Sequence, residues 1–270
     1  MSEVYLKKAN KNPETGTSET REIVDKMLNE IEVGREDTAK TYAKDLDGFT
    51  GEVIISKEQI EQASKLVPQK LKDDIKFAHE RIKKFAEAQK GSVNEFETEL
   101  SPGLWAGQKL IPIETAGCYV PGGRYAHVAS AIMSITTARV AGVENIIACS
   151  APKGEEGPNP AILYTMNYCG ADTILALGGV QAIASMAFGL FTGLPAKILV
   201  GPGNKFVAEA KRSLFGKVGI DLFAGPTEIA VIADDKADAE MVAVDLVGQA
   251  EHGYNSPAWL YTTSKRLAEE

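Results

Sequence analysis

After Gly117 the chain alternates short apolar runs with segments of helical periodicity. The runs are Asn145–Cys149, Thr173–Leu177, Lys197–Val200 and Ile229–Ala233. Between them lie Val128–Ala141, Pro160–Tyr168, Val180–Phe188 and Asn204–Phe215, each with the spacing of a helix. A fifth run, Ala258–Thr262, follows one more helical segment. Short apolar strands separated by helices of about ten residues build βαβ units. Strands buried on both faces make a parallel sheet. The expected class is α/β.

The first 117 residues read differently. Residues 1–17 form a polar arm, followed by a helical segment from Ser18 with Ile23, Met27, Leu28 and Ile31 at helical spacing. Gly34 punctuates it, and a second helix is expected from Glu36 to Leu46. Val53-Ile54-Ile55 reads as a short strand, and Ser56 with Gln59 as a capping box. Pro68 opens the most periodic helix, through Leu71, Ile75, Ala78, Ile82 and Phe85 to Gly91; His79 falls on its flank, the place of a surface histidine. Residues 94–113 read as a β-hairpin turning at Ser101-Pro102-Gly103.

Composition narrows the function. With 270 residues, 44% hydrophobic and 24% charged, the chain can bury a sizeable core in one or two domains. A net charge of −8 with no Lys/Arg stripe argues against nucleic acid. No run of about 18 apolar residues is present, and the opening Met1-Ser2-Glu3-Val4 has no signal-peptide core. Cys118, Cys149 and Cys169 lack metal-type spacing and sit in apolar segments, as reduced core residues do. A cytoplasmic protein without a membrane span is expected.

Three strand-to-helix junctions are glycine-rich: Tyr119-Val120-Pro121-Gly122-Gly123, Gly178-Gly179-Val180-Gln181 and Gly201-Pro202-Gly203-Asn204. In parallel sheets such loops lie at the carboxyl ends of strands, where backbone N–H groups and helix N-termini receive anionic ligands. None is GxGxxG, and no Walker A motif is present. Gln249 and His252 sit three apart at the end of a helical segment, a spacing that puts both on one face. Such a pair either holds a metal ion or simply meets the free carbonyls of a helix C-terminus.

Tyr119–Gly123, Gly178–Ala182, Gly201–Val207, Ala224-Gly225-Pro226-Thr227-Glu228 and Gln249-Ala250-Glu251-His252-Gly253 occur in the order found in histidinol dehydrogenases, and residues 18–265 resemble that family. The resemblance implies an NAD-dependent, zinc-containing homodimer that oxidises a primary alcohol through an aldehyde to a carboxylate. It implies two Rossmann-like domains lacking GxGxxG: residues 18–118 plus 227–270, and an inserted domain of residues 119–226. It assigns Tyr119, Gln181 and Asn204 to the NAD site, and Gln249 and His252 to zinc and substrate. Thr227 stands where family members carry a substrate-contacting serine. From the residues alone, Tyr119 is equally a packing aromatic and Asn204 an N-cap.

Two departures follow. The Glu-His acid/base pair and two further zinc ligands of the family fall past residue 270, so the 270-residue chain is expected to be a C-terminally truncated member and inactive alone. The loop Arg124-Tyr125-Ala126-His127 differs from the small residues and proline of histidinol dehydrogenases. It resembles the branch that oxidises a sulfonated propanediol, with Arg124 and His127 as donors to the sulfonate. L-histidinol stays open as the substrate. A catalytically dead NAD-binding and dimerisation module, and a phosphosugar enzyme of another α/β family, are the competing readings.

Overall fold

The computed structural model describes residues 5–7, 18–122, 126–223, 228–251 and 256–270. It divides into two compact units, Ser18–Phe223 on one hand, and Ala224–Glu270 with the N-terminal arm on the other.

The larger unit is built on five parallel strands: β3 (Thr115–Tyr119), β4 (Asn145–Cys149), β5 (Thr173–Leu175), β6 (Ile198–Val200) and β7 (Gly219–Ile220), in the order β5-β4-β3-β6-β7. Counting from β3, the strand order is 3-2-1-4-5, that of a doubly wound nucleotide-binding half. Helix α4 (Val128–Ala141) links β3 to β4 and α5 (Pro160–Cys169) links β4 to β5. Helix α6 (Gly179–Phe188) crosses to the opposite face before β6, and α7 (Lys205–Leu214) follows on that side.

The period-2 alternation of the strands separates two cores. Ala116, Cys118, Ile146 and Ala148 face the layer of α4 and α5, whereas Tyr119, Ile147, Cys149 and Leu199 face α6 and α7. The N-terminal helices close both layers. Helix α1 (Ser18–Asp47) packs against α6 and α7; α2 (Lys57–Leu66) packs against α5, and α3 (Gln69–Gly91) against α4. Helix α1 joins the two expected N-terminal helices across a kink beside Gly34, where Arg35 is left-handed with φ 56° and ψ −137°. The capping box at Ser56 and Gln59 is formed.

Val53-Ile54-Ile55 is not a strand of the sheet. It runs along the outer side of β5 through a single bridge at Ile54, with Ile55 N–H donating to the Ile174 carbonyl at 2.9 Å and the Val53 carbonyl accepting from Ala176 N–H at 2.7 Å. The segment covers a sheet edge that would otherwise present unpaired groups. Strands β1 (Phe96–Ser101) and β2 (Leu104–Gln108) form the expected hairpin, closed by Gly103 at φ +80°.

The smaller unit holds one βαβ element. Strand β8 (Ile229–Ala233) leads through α8 (Ala239–Ala250) to β9 (Ala258–Thr262), which pairs parallel to β8 with Ile229 opposite Ala258. The chain then closes with α9 (Lys265–Glu269), an element absent from the sequence reading. Among the described residues no helix is long and apolar enough to cross a membrane.

Candidate functional site

In a sheet of this order, β3 and β6 are the neighbours whose connections leave toward opposite faces. Ligands bind at the carboxyl edge of that switch point. Two of the three glycine-rich junctions open there, and the third opens at the carboxyl end of β5.

The loops after β3 and β6 meet backbone to backbone. Gly201 has φ +118°, and a Cβ on it would lie 2.0 Å from the Tyr119 carbonyl oxygen, so no side chain fits. A Cβ on Gly122 would lie 2.4 Å from Ser150 Oγ, and one on Gly203 2.3 Å from Val207 Cγ1. With no side chains at these three positions the loops pack directly on one another and on α7, so that main chain lines this edge. Asn204 closes it as the N-cap of α7, its Oδ1 accepting from Phe206 N–H at 3.0 Å and Val207 N–H at 3.1 Å.

Gly201 is held from both sides. Its N–H donates to Asp221 Oδ2 at 2.8 Å and its carbonyl accepts from Lys211 Nζ at 2.9 Å, while Lys211 and Asp221 pair with each other. Lys211 is buried, and this three-way contact satisfies its charge. The sequence reading passed over the clamp, although one signal was present: Lys211 lies on the apolar stripe Val207, Ala210, Leu214 of α7. A lysine on such a stripe needs an anionic partner within its reach.

Tyr119, at the end of β3, is buried, and its hydroxyl accepts from Gly179 N–H at 3.2 Å. Burial pushes its phenol well above the usual range, so it acts as a neutral group. Gln181, on the first turn of α6, is 1% exposed, and its amide donates to Asp47 Oδ2 at 2.9 Å. Asp47 ends α1; burial raises its pKa, partly offset by that hydrogen bond. Gln181 Oε1 and Ser150 Oγ are buried without a hydrogen-bond partner. Orphaned polar atoms beside a backbone-lined edge are what a bound polar ligand would complete. The residues present therefore fit a nucleotide. Tyr119, Gln181 and Asn204 come together along this one edge, each also with a structural contact of its own.

His127 immediately precedes α4, on the loop that leaves β3. Arg124, Thr227 and His252 lie outside the described residues. Gln249 is in the last turn of α8, half-buried. Among the described residues no group of three or more His, Cys, Asp or Glu side chains could hold a metal ion. They do not assemble a zinc site. His79 is half-buried against Tyr168, ring centroids 5.1 Å apart, rather than on the open surface, and burial lowers its pKa. All three cysteines are free and buried, with the Cys118 thiol pushed up to about 12 by burial. None is an activated nucleophile.

A doubly wound parallel sheet with glycine-rich loops at its switch point makes this an α/β protein with the topology of a nucleotide-binding half. The comparisons then fix the family: a model for histidinol dehydrogenase matches residues 10–270, and the chain belongs to the histidinol dehydrogenase family. It is 64% identical over 271 residues to a histidinol dehydrogenase homolog of Pelagibacter ubique, covering 100% of this chain and 63% of that one. It is 56% identical to sulfopropanediol 3-dehydrogenase of Ruegeria pomeroyi, covering 62% of it. Over 95% of the chain the fold superposes on 59% of the crystal structure of histidinol dehydrogenase from Elizabethkingia anophelis, with TM-score 0.87 and 36% identity. The chain thus spans less than two thirds of the length of the relatives it matches.

Proposed function

We propose that this chain carries the NAD-binding part of an NAD-dependent alcohol dehydrogenase. The observation that carries the reading is the carboxyl edge of the sheet at Gly122, Gly201 and Gly203, lined by backbone, with orphaned oxygens at Ser150 beside Gly122 and at Gln181 beside Gly179. NAD, when bound, accepts the hydride as the alcohol becomes an aldehyde and then a carboxylate. The chain's own part is binding and orientation. The N-terminus of α7 directs the positive end of its dipole toward a pyrophosphate, its Phe206 and Val207 N–H groups being held by Asn204, while Gln181 and Tyr119 fix the neighbouring start of α6. The βαβ unit of residues 228–262 is read as the beginning of a second Rossmann-like domain, and the protein as a cytoplasmic homodimer.

The substrate favoured is 2,3-dihydroxypropane-1-sulfonate over L-histidinol. Two observations support it: 56% identity to a sulfopropanediol 3-dehydrogenase against 36% to a structurally known histidinol dehydrogenase, and the Arg124/His127 loop, whose donors suit a sulfonate. Gln249 and His252 would be only two ligands to zinc, so no step here is routed through a metal. Calorimetric titration of the purified 270-residue protein with NAD tests the reading. Saturable one-to-one binding is expected, with no NADH formed from either alcohol. No heat up to millimolar NAD would refute the cofactor site. NADH formed from histidinol, and none from the sulfonated diol, would refute the substrate.

A further inference from the structure

The β1–β2 hairpin carries several of the large apolar side chains that the larger unit leaves exposed. A two-stranded ribbon has no core of its own and is marginal in water. This one nevertheless has its polar groups settled. Gly103 N–H donates to Glu99 Oε1 at 2.9 Å at the tip, and at the base Leu110 N–H donates to Glu95 Oε1 at 2.8 Å and Gln108 Nε2 to the Asn94 carbonyl at 2.6 Å. Its root is packed: a Cβ on Gly142, the C-cap of α4, would lie 3.1 Å from Pro112 Cγ. The hairpin is therefore held in shape while Phe96, Leu100, Leu104, Trp105 and Ile111 are each 53–83% exposed. By the register of the ribbon Phe96 and Leu104 lie on one face and Trp105 on the other, so both faces flanking the β2 edge carry exposed apolar side chains.

The two free edges differ. An edge strand that pairs with its own copy about a two-fold axis does so antiparallel, each residue facing its mirror position. About Thr98, β1 would set Glu97 against Glu99 of the second copy, like charges in register. Strand β2 reads Leu104-Trp105-Ala106-Gly107-Gln108, with no charge at all. About Ala106 it would lay Trp105 over Gly107 of the second copy. Gly107 must stay bare, because a Cβ there would lie 2.3 Å from the Phe96 carbonyl oxygen of its own hairpin. Exposed aromatics across from bare glycines are a favourable cross-strand arrangement.

We propose that β2 pairs with β2 of a second copy about an axis at Ala106, joining two hairpins into a four-stranded antiparallel sheet at the centre of the dimer. The proposal rests on the homodimer reading and adds the surface that makes it. Sedimentation analysis and mild-oxidant crosslinking of the 270-residue protein test it. The wild type is expected to sediment as a dimer. Trp105→Glu is expected to weaken dimerisation roughly thirtyfold or more while leaving the melting temperature of the monomer near that of the wild type. Ala106→Cys is expected to give a disulfide-linked dimer, because the native cysteines are buried and mirror positions lie close. A Trp105→Glu protein that remains fully dimeric would overturn the surface but not the dimer. Crosslinking through Thr98→Cys in place of Ala106→Cys would overturn the choice of edge. A wild type that stays monomeric would remove the dimer and this surface together.

Discussion

Lys211 shows how much of a binding loop can depend on one buried charge. It joins the Gly201 carbonyl to Asp221, and Asp221 in turn holds the Gly201 N–H, so the loop after β6 is fixed from two directions. Lys211→Met removes the donor and leaves the carboxylate without its cation. Because Asp221 reaches solvent while Lys211 is buried, the stranded carboxylate stays hydrated and the loss is expected at about 1–2 kcal/mol, or roughly 2–8 °C in a domain of this size. Lys211→Met/Asp221→Asn is expected to recover much of that loss, since both charges are gone. Its NAD affinity should still stay about tenfold below wild type, because the Gly201 carbonyl remains unheld. Thermal melts and NAD titrations of both variants separate the two effects; wild-type affinity in the double variant would show that the clamp is structural only. The cysteines give a second measurement at this scale. Burial raises Cys118 to about 12 and Cys169 to about 11, so a thiol reagent is expected to find almost no reactive sulfur in the native protein and all three after denaturation.

Between elements, the joint of α1 with α7 is made by Glu209. Its carboxylate is buried and paired with Arg212 on its own helix and with Arg21 Nε of α1 at 3.3 Å. Hydrogen bonding from Arg212, then Arg21, holds its carboxyl below the ordinary value of 4.5. A carboxyl lowered in the folded state contributes stability above its unfolded pKa and loses it as pH falls through the folded value. The urea midpoint of the wild type should therefore fall on acidification below about pH 4.5 more steeply than that of Glu209→Gln. Parallel slopes would deny the pair a part in acid stability. How legible the elements were follows from the same kind of reasoning. Helix α4 (Val128–Ala141) and strand β9 (Ala258–Thr262) match their sequence patterns to the residue, because apolar content and punctuation coincide there. Strand β3 escaped, although it is the centre of the sheet. Thr115-Ala116-Gly117-Cys118-Tyr119 has few large apolar residues, since a Cβ on Gly117 would lie 2.8 Å from Leu199 Cδ2 of the neighbouring β6 and 3.0 Å from Met186 Sδ of α6. Close packing selected small residues and erased the pattern that marks a strand. The reverse holds for Val53–Ile55, whose branched residues suit a strand but meet only the edge of β5. The glycine loops were legible as a site because local geometry requires glycine; the Lys211–Asp221 contact was not, because it is made only by the fold.

On the scale of the molecule, the larger unit closes on itself. Its sheet has α1, α6 and α7 on one face and α2 to α5 on the other, and the outer side of β5 is covered by Val53–Ile55. Every residue of the glycine-lined edge, its clamp and its orphaned oxygens lies within Ser18–Phe223. By contrast, α8 of the smaller unit has no buried residue, and Met241, Val244 and Val247 are exposed. An apolar helix face left open contributes little to stability where it stands. If the parts are separable in this way, residues 18–223 made alone should unfold in a single cooperative transition and bind NAD with the affinity of the 270-residue protein. Melting curves and titrations side by side check both. A broad, non-cooperative melt would mean that residues 224–270 are needed for the sheet to hold. A sharp melt with NAD affinity lost would move part of the cofactor site into the smaller unit.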